Sequence, residues 1–166
     1  MVSRNVDPRQ SVVLSITQIH AGSAYNVIPD RAVMTGTIRS FDPAVQALVV
    51  QRIRDLTQSI AAGFGATARV AVNEGYPALC NAPDQTAHAI SIAGGIVGRA
   101  RVDGNAPRLT GSEDFSYMLN KAPGAFLWLG QGHGPNLHNP AFDFNDDVIP
   151  IGATILARLV EERSKA

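Results

Sequence analysis

The chain has 166 residues, 45% hydrophobic and 17% charged, with a formal net charge of zero. That length suits one ordinary domain or two small ones, and the composition excludes a disordered chain. Balanced charge leaves no basic patch for nucleic acid or an anionic membrane surface, and no apolar run reaches the ~20 residues that a spanning helix needs. The opening MVSRNVDPRQ lacks an apolar signal core, so the chain reads as soluble and cytoplasmic. Its single cysteine, Cys80, rules out an internal disulfide framework and a cysteine-only metal site.

Val12, Leu14 and Ile16 alternate with Val13, Ser15 and Thr17, the period of a strand. A turn-rich stretch, HAGSAYNVIPDR, leads to AVMTGTIRS, a β-branched run that reads as a second strand ending near Arg39. One loop apart, the two strands are expected to pair antiparallel. The period then changes. Asp42 reads as an N-cap with Pro43 at the first helical position. Val45, Leu48, Val49, Ile53, Leu56 and Ile60 form one apolar stripe, and Gly63 and Gly65 stop the helix. ATARVAVNEG resumes alternation and predicts a third strand, giving β-β-α-β.

YPALCNAPD, with its two prolines and asparagine, is the best candidate boundary between subdomains. A helix is expected from Gln85 to Val97, a loop thereafter, and a short helix from about Asp114 to Asn120. AFLWLG reads as a short buried strand, which needs no alternation. A last helix is expected from Pro150 to about Arg163. This second part has too few strands to close a core on its own.

Four segments could carry chemistry. His138 sits in GQGHGPNLHNP, a glycine- and proline-rich loop behind the AFLWLG run, where strand-end loops commonly hold site residues. From local sequence alone the favoured reading is a turn histidine bonded to backbone, and for His133 more so. No H-x-x-H, H-E-x-x-H or Cys/His pair occurs to make a zinc site from sequence neighbours. In LTGSEDF, Gly111 and Ser112 could present N–H and hydroxyl groups to an anion, or Ser112 could simply cap the helix ahead of Glu113 and Asp114. Arg39, at a strand end, can grip a carboxylate with two parallel hydrogen bonds, or can be a surface arginine. Asn26 suits a turn with left-handed backbone geometry. Cys80 reads as a small buried or half-buried hydrophobe. A serine nucleophile is not supported, since LTGSEDF is not G-x-S-x-G, and no phosphate loop is present.

In order, SRNVDP, HAGSAYNVIPDRAVMTGTIRSF, GYPALCN, GSEDFSYML, PGAFLWLG and LHNPAFDFND resemble the C-terminal part of an amidohydrolase. The family is that of hippurate hydrolases, N-acyl-amino-acid amidohydrolases and indole-acetyl-amino-acid hydrolases, relatives of aminoacylase among the dinuclear-metal peptidases. The resemblance runs from about Ser3 to the last helix. It implies an α+β / α/β protein, an incomplete two-domain metallopeptidase. Residues 1–76 would be a partial antiparallel sheet-plus-helix lid domain that makes a homodimer through residues 11–75. Residues 77–166 would be the C-terminal piece of an α/β catalytic domain.

The same resemblance implies roles by position. His138 of LHNP matches a metal-binding histidine, and Arg39 of GTIR matches a lid arginine that holds the substrate carboxylate. Asn26 of NVIP matches a lid asparagine that reaches a neighbouring active site in dimers, and Gly111 and Ser112 match the segment beside the bound carboxylate. A divalent metal (zinc, manganese or cobalt) and an N-acyl-amino-acid substrate are implied, with no nucleic-acid or membrane partner. The family's other metal ligands, its oxyanion-stabilising histidine and the glutamate base that directs the metal-bound water have no counterpart here. One matched ligand cannot hold a zinc that takes roughly four. The expectation is a truncated hydrolase, inactive alone. The alternative is a non-catalytic dimerisation or ligand-binding module derived from the lid.

Overall fold

The computed structural model describes residues 1–164, and the chain divides after Ala78 into two compact units. The first unit, Met1–Ala78, opens with a single helical turn, α1 (Val2–Asn5), and continues into β1 (Val12–Ala21) and β2 (Ala32–Ser40). These strands pair antiparallel, from Val12 opposite Ser40 to Ala21 opposite Ala32. The clean alternation of the sequence stops at Thr17, and there the register slips: Ile16 opposes Gly36 but Gln18 opposes Thr35. This bulge keeps the apolar phase, because a three-residue step from Ile16 to Ile19 stays on one side of the sheet. One face therefore carries Val12, Leu14, Ile16, Ile19, Met34 and Ile38. The other carries Ser15, Gln18, His20, Thr35, Thr37 and Arg39.

Gly36 is required by the crossing of the strands. A Cβ there would run into the carbonyl oxygen and backbone of Ser15. Helix α2 (Pro43–Gly63) then begins where the sequence signals it: the Asp42 carboxylate accepts from Ala44 N at 2.8 Å and Val45 N at 3.4 Å. Two otherwise orphaned N–H groups are satisfied, while Pro43 has none to orphan. α2 packs on β2 and buries Val49 almost completely, at 1% exposure. The half of the apolar sheet face near Leu14 and Ile38 is half-buried. The far half, with Ile16, Ile19 and Met34, lies open.

The third strand expected over ATARVAVNEG does not form. Ala68, Val70 and Val72 are half-buried and alternate with exposed Thr67, Arg69, Ala71 and Asn73, so the pattern of a strand is present. What is absent among the described residues is a neighbouring strand to bond with. Alternation aligns side chains, but a lateral partner makes the ladder.

The second unit begins at Leu79. It contains α3 (Pro83–Val97), a 3-10 turn (Arg99–Arg101), α4 (Phe115–Leu119), a second 3-10 turn (Asp146–Val148) and α5 (Ile149–Arg163). α3 packs against α5, and small residues on α3, Ala89 and Ala93, are buried. AFLWLG is not a strand and is not buried: Trp128 is 66% exposed. Its start is held by one side chain. Asn81 Nδ2 donates to Phe126 O at 2.9 Å, while Phe126 N donates to Asn81 Oδ1 at 2.8 Å. Ala82 N adds a bond to Gly124 O. Cys80, expected to be at least half-buried, is exposed, because the extended chain around it has no covering layer among the described residues.

Candidate functional site

Arg39 lies on the polar face of the hairpin, opposite Val13, and is half-buried. Along that face Thr35 Oγ1 donates to Gln18 Oε1 at 3.1 Å, and His20 Nε2 lies 3.3 Å from the same oxygen. The face thus carries hydroxyl, amide and imidazole groups and a guanidinium, interrupted by Val13 and Val33, and its polar groups suit an anionic, hydrogen-bonding ligand. Asn26 is exposed in the loop between Ala21 and Ala32. That loop caps the opposite end of the hairpin. At strand rise, the run from Ala32 to Arg39 spans roughly 23 Å, so within one chain Asn26 and Arg39 cannot touch one small ligand.

In the second unit Gly111 and Ser112 are exposed and lie just ahead of α4. The cap assigned to Ser112 is not made. α4 starts later, Asp114 stands at its N-cap without a side-chain bond, and Glu113 Oε1 accepts from Phe115 N instead, at 3.3 Å. Ser116, fully buried, turns its hydroxyl back to Glu113 O at 2.6 Å. Two residues of offset were enough to pass the capping role from a hydroxyl to a carboxylate.

His138 is exposed, in the loop between Gln131 and Asn145. The base of that loop is clasped: Gln131 Nε2 donates to Asp143 O, and Asn145 donates from N and Nδ2 to Oε1 and O of Gln131. Inside it, Asn139 N bonds Asn136 O and Asn139 O accepts from Phe142 N. His138 itself has φ of 69°, the sole positive value at a non-glycine residue among those described. The left-handed backbone anticipated at Asn26 is found at His138 instead. A non-glycine residue in that region carries a backbone cost, and such cost concentrates where function fixes a side chain.

Among the described residues no three His, Cys, Asp or Glu side chains converge on a metal position. The donor set of this chain alone therefore does not fit a resident metal, and His138 stands as a single ligand type. The Asp7 carboxyl is held below its usual range by a hydrogen bond from the Arg9 guanidinium, an exposed pair outside these residues. Two polar groups were missed from sequence. His88, on α3, has a buried Nε2 without a hydrogen-bond partner among the described residues and lines a cavity of about 140 Å³ with Gln85, Leu127 and Leu159. Its helical neighbours gave no sign of this. Asn81 read only as a breaker. No described helix is long and apolar enough to cross a membrane.

Residues 8–162 match the model of peptidase family M20/M25/M40. The chain belongs to the M20 peptidase family. It is 35% identical over 165 residues to an N-acetyldiaminopimelate deacetylase of Streptococcus suis, a match covering 99% of this chain and 44% of the relative. An N-acetyl-L-cysteine deacetylase of Bacillus subtilis is 38% identical over 149 residues, covering 90% of this chain and 35% of that one. Among solved structures, the Bacillus subtilis YXEP protein, a dinuclear metal binding peptidase of the M20 family, superposes with a TM-score of 0.76 at 34% identity. That alignment covers 89% of this chain and 41% of YXEP. This M20 chain thus spans less than half the length of the relatives it matches.

Proposed function

We propose that this chain supplies the substrate-carboxylate side and one metal ligand of a metal-dependent amidohydrolase that cleaves N-acyl-amino-acid amide bonds, and that it is inactive alone. The observation that carries the reading is the match over residues 8–162, together with relatives named as deacetylases of N-acetylated substrates. Arg39 grips the substrate carboxylate with two parallel hydrogen bonds, and Gly111 and Ser112 lie beside it. His138 is the ligand to zinc, manganese or cobalt. Asn26 acts on the site of a neighbouring copy in a homodimer formed through residues 11–75, which suits its distance from Arg39. N-benzoyl substrates of the hippurate type fall within the same proposal, as does a cytoplasmic location.

The test is direct. The purified chain is incubated with zinc, manganese or cobalt and with N-acetyl- and N-benzoyl-amino acids, and bound metal is quantified. No turnover and no stoichiometric tight metal are expected. Turnover by the homogeneous chain would sink the proposal.

A second reading, a non-catalytic dimerisation or ligand-binding module, is favoured by one observation: Ile16, Ile19 and Met34 are each more than half exposed on one hairpin face.

A further inference from the structure

The α3/α5 layer of the second unit holds a polar atom that the functional reading does not use. His88, half-buried on α3, keeps its Nε2 out of solvent with no hydrogen-bond partner among the described residues. That nitrogen has left water without recovering a bond, so a group that bonds it is favoured over an empty space. His88 lines a half-open cavity of about 140 Å³ that lies wholly within this unit.

Two further polar side chains share the cavity: Gln85, one turn before His88 on α3, and Arg163, the last residue of α5. Among the described residues Arg163 makes no ion pair, and the pairing on its helix is Arg158 with Glu161 at 2.9 Å. Gln85 also belongs to the first turn of α3, whose cap residue, Ala82, makes no side-chain bond, so the helix adds positive partial charge at that end. Asp84, the acid of that turn, is exposed and does not line the cavity. An imidazole, an amide and a guanidinium around one space, with no carboxylate among its walls, make a corner for an anion.

The remaining walls decide which anion. Ala89, Ala125, Leu127 and Leu159 are apolar, and water held against them lacks the polar partners that an ordered water needs. At ~30 Å³ per water the cavity equals about four or five waters, room for a ligand of about as many non-hydrogen atoms. An ion with oxygen on every side would press some of those oxygens against leucine. A carboxylate with a short alkyl tail matches both ends of the space.

We propose that this cavity binds a short aliphatic carboxylate of the size of acetate or propionate. Its oxygens bond His88 Nε2, Gln85 and Arg163, and its alkyl end packs on Leu127 and Leu159. The inference uses none of the residues of the functional reading, so either can fail without the other.

The test titrates the full chain with sodium propionate at constant ionic strength, beside sodium phosphate and sodium chloride. It follows the imidazole carbon–proton NMR signals of the four histidines, with that of His88 assigned by its absence from His88→Leu. A saturable shift of the His88 signal by propionate is expected, with the amides of Ala89, Ala125 and Leu127 moving alongside it. Arg163→Gln, at an exposed position, should weaken propionate binding about fivefold. His88→Leu should abolish the saturable amide shifts. Equal shifts at all four histidines, or shifts that grow linearly with every salt, would overturn the proposal. So would saturable amide shifts that persist in His88→Leu, or an affinity unchanged in Arg163→Gln. Phosphate binding as tightly as propionate would overturn it too, because the apolar walls would then select nothing.

Discussion

Replacing His138 separates backbone strain from side-chain contribution. Its φ of 69° lies in the left-handed region, which costs an L residue roughly 1–2 kcal/mol. Glycine escapes that cost but loses roughly 0.5–1 kcal/mol through the greater freedom of its unfolded chain. Alanine keeps the strain. The imidazole is exposed, so its removal contributes little either way. His138→Gly should therefore be more stable than His138→Ala by about 0.5–1 kcal/mol, with wild type close to the alanine variant. In a unit of this size that difference moves Tm by a few degrees, at about 4–8 °C per kcal/mol. The lone tryptophan, Trp128, lies in the same unit and reports its unfolding. Thermal and urea melts of the three proteins decide the matter. An alanine variant at least as stable as the glycine variant would refute the strain argument, and with it the case that a required side chain holds the backbone there.

Asp42→Ala removes the cap of α2 and should cost about 1 kcal/mol, read as a lower urea midpoint at unchanged slope. Asn81→Ala frees both polar groups of Phe126. At about 1 kcal/mol per lost bond, roughly 2 kcal/mol should disappear, with faster amide exchange at Phe126. Gly36→Ala drives a methyl into the Ser15 backbone and should destabilise the hairpin by at least about 2 kcal/mol, visible as loss of cross-strand NMR contacts. In a reconstituted enzyme, Arg39→Lys should raise KM for N-acyl-amino acids at least about tenfold with kcat less affected, because lysine cannot make the paired bonds.

What sequence made legible was local. The hairpin, α2 with its Asp42–Pro43 start, and the helices at Pro83–Val97 and Ile149–Arg163 follow from period, caps and breakers, information carried within a few residues. The strands expected at ATARVAVNEG and AFLWLG needed lateral partners that neither segment has among the described residues, and period alone cannot supply a neighbour. Ser112 lost its cap for a smaller reason: helix ends shift by a residue or two, and Glu113 competes for the same N–H groups. His138 was visible as a loop histidine and, through the family resemblance, as a ligand type. Its left-handed backbone was not, since Asn26 carried the better local signal for that geometry.

The bulge at Thr17 has a consequence for colloidal behaviour. A two-stranded hairpin with bare edges and exposed Ile16, Ile19 and Met34 has the makings of a template for fibril growth. Stacking of that kind needs long, flat, in-register strands. The extra residue between Ile16 and Gln18 breaks β1 into two shorter runs and sharpens its twist, so an incoming strand matched to one run is out of phase with the other. Deleting Thr17 would restore a continuous edge and leave Ile19 opposite Met34 on the apolar face. The interruption that works against such stacking is one extra threonine, with no residue opposite it in the register.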